Sequence, residues 1–81
     1  DLIYATDSAT IEINGGTFKA VTPERTLNVL DKDRGKAKII VKGGSFYKYD
    51  PSHPTLGDNE VVVAAGYHVE QDGDWFNVVA D

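Results

Sequence analysis

Cysteine and methionine are both absent from these 81 residues. Without cysteine no disulfide can staple the chain, although that absence names no compartment. Without methionine, Asp1 is not a native initiator, and the abrupt start at "DLIYATDSAT" reads as a processed fragment of something longer. No leader pattern follows Asp1, and no apolar run approaches the roughly 20 residues of a membrane-spanning helix. Basic residues are scarce, eight against thirteen acidic ones, for a net charge of −5. Phosphate binding wants a basic stripe, so nucleic acid is excluded as a partner. Helical periodicity is missing as well. The segment 22–30, "TPERTLNVL", has Thr22 as an N-cap and Pro23 at N1, which supports one turn at most.

What is present is a repeat. "INGGTF" occupies 13–18 and "VKGGSF" occupies 41–46, so aligning the glycine pairs gives an offset of 28 residues. Ala9 then matches Ala37, Ile11 matches Ile39, Ile13 matches Val41, Thr17 matches Ser45 and Phe18 matches Phe46. Self-similarity at such a period is the sign of a solenoid or an array. "ATIEINGG" and "AKIIVKGG" read as strands with alternate apolar residues on one face. The pairs Gly15-Gly16 and Gly43-Gly44 read as corners that need a positive φ. A second short strand then carries Phe18 or Phe46 inward, giving a core ladder of Ile11, Ile13, Phe18, Ile39, Val41 and Phe46. "LIYAT" and "TLNVLD" read as equivalent strands one coil apart, with "NEVVVA" extending that same ladder. An antiparallel sandwich in which Gly-Gly merely marks two hairpins is the competing architecture.

The C-terminal "GYHVEQDGDWFNVV" carries Asp72-Gly73 between alternating runs, which predicts a two-residue type I′ turn. That turn pairs Gln71 with Asp74, Glu70 with Trp75, Val69 with Phe76 and Tyr67 with Val78. Tyr67, Val69, Phe76 and Val78 then share one face, and His68, Glu70, Trp75 and Asn77 the other. The chain reads as one module, 1–81, with coils over 1–66 and a hairpin cap over 67–79. Its apolar content only about balances the cost of ordering so short a chain. Self-association or neighbouring coils are therefore expected to add stability.

Taken together, "IEINGGTFKA", "AKIIVKGGSFYKYDPS" and "AAGYHVEQDGDWFNVV" resemble the terminal repeats of GGTF-type β-helix proteins. Such segments occur in bacteriophage tail-fibre and tail-spike proteins and in surface proteins of gut Bacteroidetes. The resemblance runs from about Tyr4 to Val79 and rests on order and spacing, since each motif alone is short. It implies an all-β fold: a short right-handed parallel β-helix of about two coils, closed by the antiparallel hairpin. In the phage setting it implies a homotrimer. No catalytic residues travel with the pattern.

Chemistry finds little foothold. Asp31 and Asp33 in "DKDRGK" have calcium-loop spacing, but an EF-hand would want an oxygen ligand and a glutamate where Gly35 and Lys42 stand. "DNE" at 58–60 and "DGD" at 72–74 are turn chemistry first. His53 and His68 are far apart and are read without a second metal ligand beside them, His53 in an exposed loop. Glycoside hydrolysis needs two carboxylates about 5–9.5 Å apart, and one coil on from Glu12 stands Ile40. No catalytic residue, metal or cofactor is assigned.

Ile40 and Trp75 depart from clean alternation by pointing outward, and exposed apolar clusters mark interfaces. With Tyr47 and Tyr49 they are the candidates for a subunit contact, which is favoured, or for stacking on a cell-surface glycan. The expected function is a non-enzymatic end, capping or trimerisation module of a tail fibre or related surface β-helix. A monomeric carbohydrate-binding or adhesin module is the alternative. The expected location is a virion tail or a cell surface, with no membrane insertion.

Overall fold

The computed structural model describes residues 2–29, 36–54 and 60–81. Strands β1 (Ile3–Ala5), β2 (Thr10–Ile13) and β3 (Thr17–Phe18) come first, followed by a single 3₁₀ turn at Pro23–Arg25. Pro23 opens that turn, as its fixed φ favours, while the Thr22 side chain makes no capping bond. Strands β4 (Leu27–Val29), β5 (Lys38–Val41) and β6 (Gly44–Tyr47) repeat the order of the first three. β7 (Val61–Val63) follows, and β8 (Tyr67–Asp72) and β9 (Trp75–Ala80) form a C-terminal hairpin. The fold is all-β.

The strands form three sheets, ordered β1-β4, β2-β5-β7 and β3-β6-β9-β8. All pairs among β1–β7 are parallel. Ile11 lies opposite Ile39 and Phe18 opposite Phe46, so the 28-residue offset of the sequence is the register of two ladders. Ile3 lies opposite Leu27, a spacing of only 24 residues. The connection from β4 to β5 is longer than that from β1 to β2 and makes up the difference.

Alternation decides what is buried. Ile13, Ile39, Val41 and Phe46 lie in the core with Ala5, Leu27, Val29, Ala37, Tyr49, Val61 and Val78, while Ile11 and Phe18 pack half-buried against it. The rings of Phe18 and Phe46 stack with centroids 5.0 Å apart and planes 13° from parallel, a contact worth about 0.5–1.5 kcal/mol beyond the area it buries. The corners between β2 and β3 and between β5 and β6 turn on Gly16 at φ 109° and Gly44 at φ 102°. Gly15 and Gly43 keep φ outside the left-handed range.

Two expectations are corrected here. "NEVVVA" does not extend the β1/β4 ladder: Val61 lies opposite Ile39 and Val63 opposite Val41, on the other edge of β5. A run of three valines fits either edge, and the ladder hydrogen bonds choose, with Ile39 N–H donating to the Glu60 carbonyl at 2.8 Å and Ala64 N–H to that of Val41 at 3.0 Å. The hairpin turn is centred on Gly73-Asp74 rather than Asp72-Gly73, because Asp72 lies opposite Trp75, Gln71 opposite Phe76 and Val69 opposite Val78. Gly73 sits at φ 61°, in the first central position that a type II′ turn reserves for glycine. A type I′ turn about Asp72-Gly73 would force the left-handed conformation on an aspartate. The shift moves each partner by two residues, so the two faces keep their membership.

Gly44→Val should cost about 2 kcal/mol or more, since φ near 100° is strained for any side chain and worst for a β-branched one. A Cβ there would also come within 3.2 Å of the Phe18 ring. Urea unfolding of the variant beside the parent checks the value.

Candidate functional site: the outer face of the four-stranded sheet

One face of the β3-β6-β9-β8 sheet packs on the core through Phe46 and Val78, with Tyr67 and Val69 against it. The half-buried Phe76 lies opposite Phe46 on the same side. Successive side chains alternate faces, so Ser45, Tyr47, Trp75, Asn77 and Val79 line the other side. His68, Glu70 and Asp72 of β8 join them. Tyr47 lies directly opposite Trp75 in the antiparallel β6–β9 pair, where cross-strand side chains meet. Their rings contact edge to face, with centroids 5.3 Å apart and planes at 61°. Lys19 Nζ lies 4.5 Å from the Tyr47 centroid and Lys48 Nζ 5.4 Å from it, within the range of cation–π attraction. Lys48 itself holds φ 52° where the chain leaves β6, and its N–H donates to the Asp74 carbonyl at 2.6 Å. The aromatic pair is thus fixed by strand register, by the hairpin turn and by two cations.

The four interface or glycan candidates separate in the structure into distinct places. Tyr47 and Trp75 meet on this face, both half-buried against each other within one chain. Ile40 stands elsewhere, half-buried on the outer side of the β2-β5-β7 sheet, between Glu12 and the exposed Val62. Glu12 and Lys42 form an exposed ion pair at 3.2 Å on that side. Tyr49 is a correction. It is 1% exposed and serves the core, with its hydroxyl donating to the Leu27 carbonyl at 3.3 Å. An apolar ring with a polar handle suggested an outer surface for Tyr49, but such a tyrosine is equally stable when buried if its hydroxyl finds an acceptor.

His68 is a second correction. Its Nε2 lies 3.0 Å from Glu70 Oε2 and its Nδ1 2.7 Å from Asp81 Oδ1. Glu70 is two residues along the same strand, hence on the same face, and that spacing was legible in the sequence. Asp81 was not, because its approach depends on the hairpin register. The two carboxylates engage opposite ring nitrogens, so they cannot converge on one metal ion. No cluster of three or more such ligands suited to a metal occurs among the described residues. The hydrogen bond to the Glu70 carboxylate, then that to Asp81, raise the His68 pKa above its ordinary 6.5. When protonated, the ring donates through both nitrogens at once and clasps β8 to the residue that follows β9.

Ser52, His53 and Asp50 also cluster, but not as a relay. Ser52 Oγ lies 3.0 Å and Asp50 Oδ2 3.3 Å from the same ring nitrogen, Nδ1 of His53. A hydrolytic triad needs hydroxyl and carboxylate on opposite nitrogens. Asp50 Oδ1 instead accepts from the Ser52 N–H at 2.9 Å, which makes an Asx turn. Asp31 and Asp33 of "DKDRGK", and Asp58 of "DNE", lie outside the described residues.

Comparison with known proteins gives no match to a family model, to a curated protein or to a solved structure.

His68 should titrate above 6.5 by proton NMR, and Asp81→Asn or Glu70→Gln should each bring the midpoint down. A pKa raised by folding stabilises below the unfolded value and loses that contribution as pH rises through the folded value. The hairpin should therefore loosen between mildly acidic and mildly alkaline pH, and His68→Gln should flatten that dependence in thermal melts. Trp75→Ala should cost roughly 1–3 kcal/mol, from lost apolar burial and the edge contact together, read from chemical unfolding.

Proposed function

We propose that this chain is a structural, non-enzymatic end module of a longer β-helical surface protein, of the kind found in bacteriophage tail fibres and tail spikes. In this reading the two Gly-Gly courses are coils of a short right-handed parallel β-helix, and the C-terminal hairpin is its cap. The observation that carries it is the reversal of strand direction beside β6. β3 and β6 run parallel, whereas β9 runs antiparallel on the edge of β6 that a next coil would take. Phe76 and Val78 come with β9, opposite Phe46 and Gly44, and Val78 joins the core at the last rung of the ladder. A repeat that ends in a reversed, apolar-faced hairpin terminates its own stacking, which is what a capping element does.

A homotrimer belongs to the same reading, at a virion tail or a cell surface. Its contact would use the outer side of the β2-β5-β7 sheet, where Ile40 and Val62 lie side by side on neighbouring strands. Static light scattering at micromolar concentration should give about three times the 8.8 kDa chain mass, and Ile40→Asp should return it to one. A monomeric wild-type chain would overturn the trimer.

A carbohydrate-binding or adhesin role is the second reading, favoured by the Tyr47–Trp75 pair with Lys19 beside it on an outer sheet face. Aromatic rings with a polar edge suit the face of a sugar. A monomer that binds members of a glycan array, and loses them on Trp75→Ala, would select this reading over the trimer.

A further inference from the structure

The two corners differ in one respect that matters. Gly15 and Gly43 are ladder equivalents, since Ile13 lies opposite Val41 and Thr17 opposite Ser45. The bonds continue across the corner, with Lys42 N–H donating to the Ile13 carbonyl at 2.7 Å and Ser45 N–H to that of Gly16 at 2.9 Å. At Gly43 glycine is required by contact: a Cβ would lie 2.6 Å from the Asn14 carbonyl oxygen and 3.0 Å from its carbon. Both are backbone atoms of the preceding course and cannot step aside. At Gly15 the same Cβ would meet nothing within 4 Å, and its φ is not in the left-handed range. Nothing within the described residues demands glycine there.

Part of the core is graded in the same direction, although Ala5 and Ile13 of the first course are themselves buried. Leu27, Ile39 and Phe46 are 1%, 0% and 0% exposed, whereas Ile3, Ile11 and Phe18, one rung earlier, are only partly covered. Leu2, at the start of that rung, is 47% exposed. The outer edges of β1, β2 and β3 carry no strand among the described residues.

We propose that the free edge of β1–β3 seats one further coil of the same strand–Gly-Gly–strand type. It runs parallel to β2 and β3, with its corner carbonyl over Gly15 as that of Asn14 lies over Gly43. Glycine at 15 is then explained by the contact that explains glycine at 43. The partner is defined by chemistry: alternating β-branched residues to cover Ile11 and Ile13, a glycine corner, and an aromatic ring to stack on Phe18. A second copy meeting head to head would pair the edges antiparallel about a two-fold axis, and its carbonyls would not fall over Gly15. This inference rests on the end-module reading and states which side of the module faces the rest of the fibre.

The probe is a synthetic peptide with the sequence of residues 37–48, "AKIIVKGGSFYK", titrated into the full chain and followed by amide NMR. Shifts should gather on β1–β3 and spare β8 and β9. Gly15→Ala should leave the melting temperature of the chain within about 3 °C yet weaken the peptide at least about tenfold. Gly43→Ala, by contrast, should destabilise the chain itself. A second arm tethers the same segment ahead of Asp1 by a flexible linker, which makes the encounter intramolecular. The melting temperature should rise, and Gly15→Ala should cancel the rise. The proposal fails if neither arm responds, if Gly15→Ala binds the peptide as well as the parent, or if it destabilises the chain as Gly43→Ala does. Failure here together with a trimeric mass would leave the end module standing and remove only the seat. A head-to-head dimer that survives Gly15→Ala, with no binding of the peptide, would replace the coil with a second copy.

Discussion

Two stretches of backbone pass the same corner at φ near 100°, and the rest of the fold depends on that passage. Gly16 and Gly44 each redirect the chain from the β2-β5-β7 sheet into the β3-β6-β9-β8 sheet. The corner has to be made identically in both courses, because Ile13 and Thr17 are paired with Val41 and Ser45 on either side of it. Once both corners match, like residues face like residues. Ile11 meets Ile39, and the Phe18 ring lies flat on that of Phe46. A chain this short, without a disulfide, gains a defined interior largely through that repetition of equal shapes.

How much of this was legible follows from what each element answers to. The 28-residue register was readable because in-register stacking selects matching residues, leaving "IEINGGTF" and "IIVKGGSF" as its trace. Parallel pairing also follows, since stacked equivalents run the same way. The hairpin was readable as an element but not to the residue. "QDGDW" satisfies two turn chemistries one step apart, and the preference for a left-handed glycine over a left-handed aspartate decided between them. β7 was readable as a strand but not its neighbour, because three valines carry no mark of which edge they join.

The candidate surface was partly legible for related reasons. Alternation correctly turned Trp75 away from Phe76 and Val78, but its meeting with Tyr47 needed the β6–β9 pairing, which joins residues far apart in sequence. Tyr49 misled because an apolar ring with a polar handle suits a surface as well as a core until a carbonyl is found for its hydroxyl, and that of Leu27 comes from an earlier strand. The clasp at His68 joins a partner two residues away, open to inspection, with one at Asp81 that only folding brings near. It is also the place where solution acidity can reach the hairpin, since the imidazole lies at the surface between two carboxylates.

The unequal spacings of the ladders bear on how such a chain could be lengthened. Between the second and third strands of each course the path is the same, corner for corner, and an added residue would break the match of Phe18 with Phe46. Between the first and second strands the two courses already differ, as the 24-residue spacing of Ile3 and Leu27 beside the 28-residue spacing of Ile11 and Ile39 requires. One side of the molecule keeps strict time and the other tolerates insertion. A change of length is therefore absorbed between the first and second strands, while the glycine side keeps the spacing on which the ring stack depends.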